Sequence, residues 1–157
     1  FSNYTGDFNV RDVEPIGLVF YGNHWHLLAY CRMRQAPRDF RVDRLVKLES
    51  LEEQFDPNVR PAFPEFIRGL MQGTDLDEVE IVVDKKIARY LGEAKYGQGF
   101  VSQVEEGEGM KMKFLTSTLN YFSRWLMSLG NDAEVISPNA LKEIMRENAK
   151  ELSDHYS

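Results

Sequence analysis

The stretch VEPIGLVFYGNHWHLLAYC, residues 13–31, decides how the first third of the chain folds. Residues 13–21 and 25–31 are dense in β-branched and aromatic side chains and lack a helical period, so both read as strands. Gly22-Asn23-His24 between them is the short Gly/Asn connection of a hairpin. Pro15 and Gly17 early in the first run predict a bulge or bend at an edge. Downstream, Phe40-Arg41-Val42-Asp43 alternates, with Phe40 and Val42 expected to face a core and Arg41 and Asp43 to face away. Upstream, Phe1-Ser2-Asn3-Tyr4 reads as part of a further strand. Several short, bent strands within some 55 residues make a small closed β-barrel the expected architecture.

Beyond this region the pattern changes. Pro57, Pro61 and Pro64 precede a short apolar run, Phe66-Ile67 and Leu70-Met71, ended by Gly73, so residues 56–78 read as a Pro-containing linker with one short helix. Residues 79–83 (VEIVV) form a strand. Asp84 caps a helix carrying Ile87, Leu91 and Ala94 and closing near Gly97. Residues 100–104 and 110–114 are strands joined by the acidic, Gly-containing 105–109, with Met110, Met112 and Phe114 inward and Lys111 and Lys113 outward. Leu119, Phe122, Leu126 and Leu129 mark an amphipathic helix stopping at Gly130. After a strand at 133–136, Ser137-Pro138 opens a last helix with Leu141, Ile144, Met145 and Leu152 on its buried stripe. The expected organisation is a β-barrel over 1–55, the linker, and an α+β domain over 79–157, a ferredoxin-like βαββαβ unit with a C-terminal helix.

The chain has 157 residues, room for one domain or two small ones, and 43% hydrophobic with 28% charged residues is globular composition. Its longest apolar runs, such as 17–21 and 27–31, fall far short of the roughly 20 residues a spanning helix needs, so no membrane partner is expected. A single cysteine, Cys31, cannot form an internal disulfide and no leader pattern opens the sequence, which points to a reducing cytoplasm. The first residue is Phe rather than Met, as in a piece of a longer protein.

Catalytic chemistry finds little support. There is no nucleophile elbow, Cys31 sits in an apolar strand as a small buried hydrophobe, and Glu105, Glu106 and Glu108 lie in a solvated turn. The reading is not an enzyme, with no cofactor. His24 and His26 lie on one strand face, as two metal ligands would, but no third Cys or His is near, since His155 is at the far end; a surface pair is the better reading. Tyr96-Gly97-Gln98-Gly99-Phe100-Val101 meets four of the seven specified positions of an RNA-recognition segment, while Tyr96, Gln98 and Gln103 replace the cation and two stacking aromatics.

Charge is more informative. The chain carries −6 overall, yet residues 32–47 hold six cations, five of them arginine, against Asp39 and Asp43, so that window is +4 and the remainder −10. Arginine's planar fork suits carboxylate and phosphate, and alternation would group some of these guanidinium ions beside His26 and Tyr30 on one face. The competing reading is a solvated surface paired with Asp39 and Asp43.

Three linked segments carry a resemblance: Val13-Glu14-Pro15-Ile16-Gly17-Leu18-Val19, Trp25-His26-Leu27-Leu28-Ala29-Tyr30, and Arg38-Asp39-Phe40-Arg41-Val42-Asp43-Arg44-Leu45. Their order resembles the WYL-domain family of bacterial transcriptional regulators, and Arg124-Trp125-Leu126 with Ala133-Glu134-Val135-Ile136-Ser137-Pro138 resembles the extension that follows that domain. The resemblance implies an Sm-like or SH3-like barrel followed by an α+β extension, placed after a helix-turn-helix DNA-binding part that this chain lacks. It further implies a sensor of single-stranded nucleic acid, nucleotides or similar anionic effectors, acting in a homodimer. By position, His26, Arg32, Arg38, Arg41 and Arg44 are the implied ligand-binding residues, with Trp25 structural. His26 stands where the motif has tyrosine, exchanging a hydroxyl for a titratable imidazole. A structural dimerisation module, using the helices around 119–129 or 141–152, is the alternative.

Overall fold

The computed structural model describes residues 8–72 and 74–157. The strand expected at Phe1 to Tyr4 and the helix-ending role of Gly73 lie outside the described residues. The chain divides into two compact units, Phe1–Thr74 and Asp75–Ser157.

In the first unit, β1 (Val13–Tyr21), β2 (His24–Cys31) and β3 (Ala36–Arg41) form an antiparallel sheet in that order. Tyr21 pairs with His24, so the hairpin loop is Gly22-Asn23, both at positive φ (55° and 65°), a two-residue turn whose twist matches the strands it joins. The expected irregularity in β1 is a register shift between Pro15 and Gly17. Gly17 has a packing reason as well. A Cβ there would lie 2.5 Å from the Phe63 ring of α1 (Phe63–Met71), the helix whose Phe66 and Ile67 are buried. The proline-rich stretch from Asp56 thus falls largely within the first unit, with Asp56 capping a short 3-10 turn at Pro57–Val59.

The closed barrel is corrected: among the described residues this unit holds an open three-stranded sheet, with β1 and β3 left as edges. Closure needs strands all the way round the ring. Residues 45–55 supply none, because alternation holds only over 46–49 before Ser50-Leu51-Glu52-Glu53 breaks it with residues poor in β propensity. A second correction concerns Val42. The strand stops at Arg41, and Val42–Arg44 is a 3-10 turn closed by Leu45 N–H donating to Val42 O at 3.1 Å, which leaves Val42 exposed instead of core-facing.

The second unit has the β-α-β-β-α-β order that the periodicity predicts, followed by a terminal helix: β4 (Asp77–Asp84), α2 (Lys85–Leu91), β5 (Phe100–Glu106), β6 (Gly109–Thr116), α3 (Leu119–Met127), β7 (Ala133–Ser137) and α4 (Asn139–His155). Its sheet runs β5-β6-β4-β7, every neighbour antiparallel, so β6 lies between the strands that α2 connects. Val79, Ile81 and Val83 of β4 share a face with Met112 and Phe114 of β6, and Leu91, Phe122, Leu126 and Leu141 close over them. Phe114 is the hub, with ring centroids 5.2 Å from Phe122, 5.5 Å from Trp125 and 5.7 Å from Phe100. On the other face Lys113 lies 3.5 Å from Glu78 and Lys111 lies 3.4 Å from Glu106, both near Glu80.

Asp84 caps α2 as expected, its Oδ1 accepting from Lys86 N–H at 2.7 Å, but the helix is shorter than its periodicity implies. Gly92, at φ 47° and ψ −125°, leaves helical space, so Ala94 and Gly97 lie beyond its end. Tyr96–Gln98 is a 3-10 turn leading into edge strand β5, and the Phe100 ring is spent on Phe114 in the core. The Phe100 ring is therefore not a free stacking surface, whereas the Tyr96 ring is partly exposed.

Candidate functional site

Alternation along β2 places His24, His26, Leu28 and Tyr30 on one face. Cross-strand pairing puts Val19 and Arg41 opposite His26, Tyr21 opposite His24, and Asp39 opposite Leu28. At the hairpin end of this face Tyr21 stacks on His26, with ring centroids 3.8 Å apart and planes 17° from parallel. His26 Nδ1 lies 2.6 Å from Asp39 Oδ1. Burial, with the charges of Arg41, His24 and Arg44 adding to it, pushes the His26 imidazole down to about 4. Burial pushes the Asp39 carboxyl up to about 6. At neutral pH the pair is a neutral imidazole donating Nδ1–H to a carboxylate, which fixes the tautomer and leaves Nε2 as an acceptor.

Arg41 sits beside this pair with its fork occupied. Nε donates to Asp43 Oδ1 at 3.0 Å and Nη2 to Asp43 Oδ2 at 2.6 Å, while Nη2 also donates to His24 Nδ1 at 3.3 Å. The guanidinium of Arg41 holds the Asp43 carboxyl below the usual carboxylate range, against the opposing effect of burial. Asp43 comes from the 3-10 turn two residues on and is half exposed. Arg44, from the same turn, is near enough for its charge to help keep His26 neutral.

The other end of the sheet is a different cluster. Glu14, buried on β1, accepts from Arg32 Nε at 3.0 Å and from Arg60 Nε and Nη2 at 2.5 and 3.1 Å. The Arg60 guanidinium lies 3.6 Å above the Tyr30 ring. Hydrogen bonds from Arg60 foremost, and from Arg32, hold the Glu14 carboxyl low although burial works against them. The outer nitrogen of Arg32 reaches Glu53 at 2.8 Å.

Of the five residues singled out from the sequence, the structure brings His26, Arg41 and Arg44 together. Arg32 follows the far end of β2, six residues from His26, or roughly 20 Å along a strand. Arg38 pairs with Ala29 and so projects from the opposite face. Six participants were not in that set, Tyr21 and Asp39 against His26 and four more. Asp43 and His24 complete the Arg41 cluster, whereas Glu14 and Arg60 lie 46 residues apart and no local pattern joins them. The Tyr21–His26 stack was readable, because a two-residue turn places Tyr21 diagonally across from His26. Chemically, the hairpin end presents a planar donor fork, an imidazole acceptor and an aromatic face, a set able to hold an oxyanion beside a flat ring. Among the described residues no group of three or more His, Cys, Asp or Glu side chains is placed to hold a metal, and no helix is long and apolar enough to cross a membrane.

Comparison with known proteins adds the following. The WYL domain family matches residues 1–50 and the WCX domain family matches residues 75–153. The chain is similar to an uncharacterised HTH-type transcriptional regulator, YobV, of Bacillus subtilis, 24% identical over 99% of this chain and 50% of that protein. It is also similar to protein PafC of Mycobacterium tuberculosis, 25% identical over 93% of this chain and 46% of that one. The chain therefore spans about half the length of the curated relatives it matches. Among solved structures, proteasome accessory factor B/C of Arthrobacter aurescens aligns with 90% of this chain and 22% of its own, at 23% identity and a TM-score of 0.36.

Proposed function

We propose, from the premise that this chain belongs to the WYL-domain family of transcriptional regulators and carries the WCX extension, that it is the effector-sensing, regulatory region of such a protein. The effector is an anion, a short single-stranded nucleic acid or a nucleotide, held at the hairpin end of the first sheet. His26, Arg41 and Arg44 form the site, while Arg38, on the opposite face, and Arg32, at the far end of β2, lie outside it. Operator DNA is engaged by a part of the protein outside this chain, which works in the cytoplasm as a homodimer without catalysing a reaction.

The observation that carries this reading is the Arg41–Asp43 fork. A bidentate guanidinium–carboxylate pair has the geometry a phosphate would adopt, and its present occupant is half exposed, a class of pair worth little in water. A ligand phosphate can replace Asp43 at small cost. Binding then acts on the rest of the regulator only through a difference in affinity between two arrangements.

The test is a titration at low salt with a short single-stranded DNA, the matching RNA and cyclic nucleotides. Binding that weakens as salt rises, and at least tenfold in Arg41→Ala with an unchanged melting temperature, is expected. Failure of every phosphate-bearing ligand to bind overturns the reading. The second reading, a structural dimerisation module, is favoured by Arg32 and Arg41 both being engaged with acidic side chains. Under it Arg41→Glu lowers the melting temperature and changes no affinity.

A further inference from the structure

We propose that the opposite face of the first sheet carries a second, separate site, for an amphipathic small molecule with an apolar body and one anionic group. This site is independent of the one above: Leu27 and Phe40 in its floor point away from His26 and Arg41, so either can stand if the other fails.

A cleft of about 790 Å³ lies there, floored by Leu27, Phe40, Val13 and Pro15 and walled by residues 8–12 and 45–55. That volume is within the range of small-molecule pockets, roughly 300–1,000 Å³. Its walls expose large apolar side chains that a settled surface would cover, Val10 at 85% and Leu48 at 74%, with Phe8, Val46 and Leu51 also exposed. Grouped exposed apolar residues around a concavity mark a place where something binds. A concave cleft favours a small guest over a second copy of the chain, since two hollows cannot fill each other.

The lip supplies the polar half of the argument. Arg11, Arg32 and Lys47 stand there against Asp12, Glu49 and Glu53, so the lip is neutral overall and recognition must come from directed donors. Lys47 is taken by Glu49 at 2.6 Å. Arg11 is different, because its Nη1 donates only to neutral acceptors, Val10 O at 3.2 Å and Met33 Sδ at 3.0 Å. Arg32 has Nε fixed on Glu14, and its Nη1 meets only the exposed Glu53. Arg11 thus borders the apolar hollow with donors that no carboxylate takes, while Arg32 beside it is already paired with Glu14 and Glu53. The guest that satisfies Arg11 is a carboxylate or sulfonate on a hydrocarbon or aromatic body.

Anilinonaphthalene sulfonate, an apolar ring system with one anionic group, is the first probe, and decanoate and decanol are competitors of matched chain length. The 157-residue chain should enhance and blue-shift the dye's emission, and decanoate should displace it. Val46→Trp, which fills the cleft, should weaken dye and decanoate at least tenfold, and Leu48→Glu should do the same by a different route, each with the wild-type circular dichroism spectrum. Arg11→Ala should weaken decanoate about tenfold and change decanol less than twofold. The proposal is overturned if the dye is not enhanced, if decanoate does not displace it, or if a folded Val46→Trp or Leu48→Glu binds as wild type does. Equal effects of Arg11→Ala on decanoate and decanol would overturn the anion requirement. A dimer in sedimentation that refuses the dye, and accepts it once dissociated by dilution, would give the cleft to a second copy and overturn the small-molecule site.

Discussion

The two sheets of this chain solve the same problem by different means. The four-stranded sheet buries one face under α2, α3 and α4 through an aromatic cluster centred on Phe114, and its other face settles its charges in exposed Lys–Glu pairs. Among the described residues the unit of the three-stranded sheet has one nine-residue helix, and polar interactions hold the sheet's ends: Glu14 between Arg32 and Arg60 at one and His26 on Asp39 at the other, where the half-exposed Arg41–Asp43 pair adds little. Apolar packing stabilises without offering donors to a ligand. A sheet edged by charged hydrogen-bonding groups keeps donors that a ligand could take over, which is why the proposed effector site falls in the less thoroughly packed unit.

The sharpest way to break this contrast is to remove the hub of the larger core. Phe114→Ala should cost about 3–5 kcal/mol, by lost transfer free energy and the cavity left between Phe100, Phe122 and Trp125, measured by urea denaturation. A loss under 1 kcal/mol would mean that the aromatic cluster is not what holds the unit together. In the first unit the equivalent weak point is steric. Gly17→Ala places a methyl group 2.5 Å from the Phe63 ring and should cost about 1–3 kcal/mol as α1 is displaced, again read by denaturation.

The contrast also explains what could be read before any coordinates. The second unit was legible almost throughout because its signals are local: period-2 alternation in β4 and β6, three-and-four spacing in α3 and α4, Asp84 as a cap. Two expectations fail there: the early end of α2 follows from Gly92 adopting a backbone conformation that spacing of apolar residues cannot reveal, and Leu152, expected on the buried stripe of α4, is 50% exposed because the helix runs on past the core that buries Leu141. In the first unit the hairpin and bulge were equally local and equally plain, whereas the barrel was inferred from strand density, and strand density says nothing about closure. For the site, alternation promised only that some of the arginines would lie beside His26, and Arg41 is the one that does, while the same parity applied to Arg38, three residues from Arg41, would have put it on the other face. The Glu14–Arg60 bond had no such signal, since a contact across 46 residues exists only once α1 has docked.

The His26–Asp39 pair sharpens the comparison through pH. His26 titrates at about 4 in the folded chain and near 6.5 unfolded, so by itself it makes stability fall as pH drops from about 6.5 to 4. Asp39 titrates at about 6 folded and near 3.8 unfolded, so by itself it makes stability fall as pH rises from about 3.8 to 6. In the wild type the two slopes oppose, and stability should be nearly flat between about pH 4 and 6. Asp39→Asn should expose the first slope, and His26→Phe, which keeps a ring against Tyr21, the second. Each should be worth about 1–2 kcal/mol across its window after allowance for partial exposure, with opposite signs, in melting temperatures recorded from pH 4 to 7. Equal slopes in both variants would show that the two groups do not titrate against each other.

The smallest effect tests the other half of the contrast, that charge on the second sheet is surface chemistry only. Lys113 lies 3.5 Å from Glu78 and 3.8 Å from Glu80, and it looks on paper much like Arg41 beside Asp43. Two features separate them. Lysine's ammonium is a hydrated point donor and cannot make the paired bonds of a guanidinium, and Lys113 sits among carboxylates on a sheet face that would repel an anion. Lys113→Ala should therefore change stability by less than about 1 kcal/mol and leave the affinity for single-stranded DNA within twofold, where Arg41→Ala loses at least tenfold. Comparable losses in both variants would mean that the DNA responds to any cation the protein offers, and the planar fork at Arg41 would then have no special claim on it.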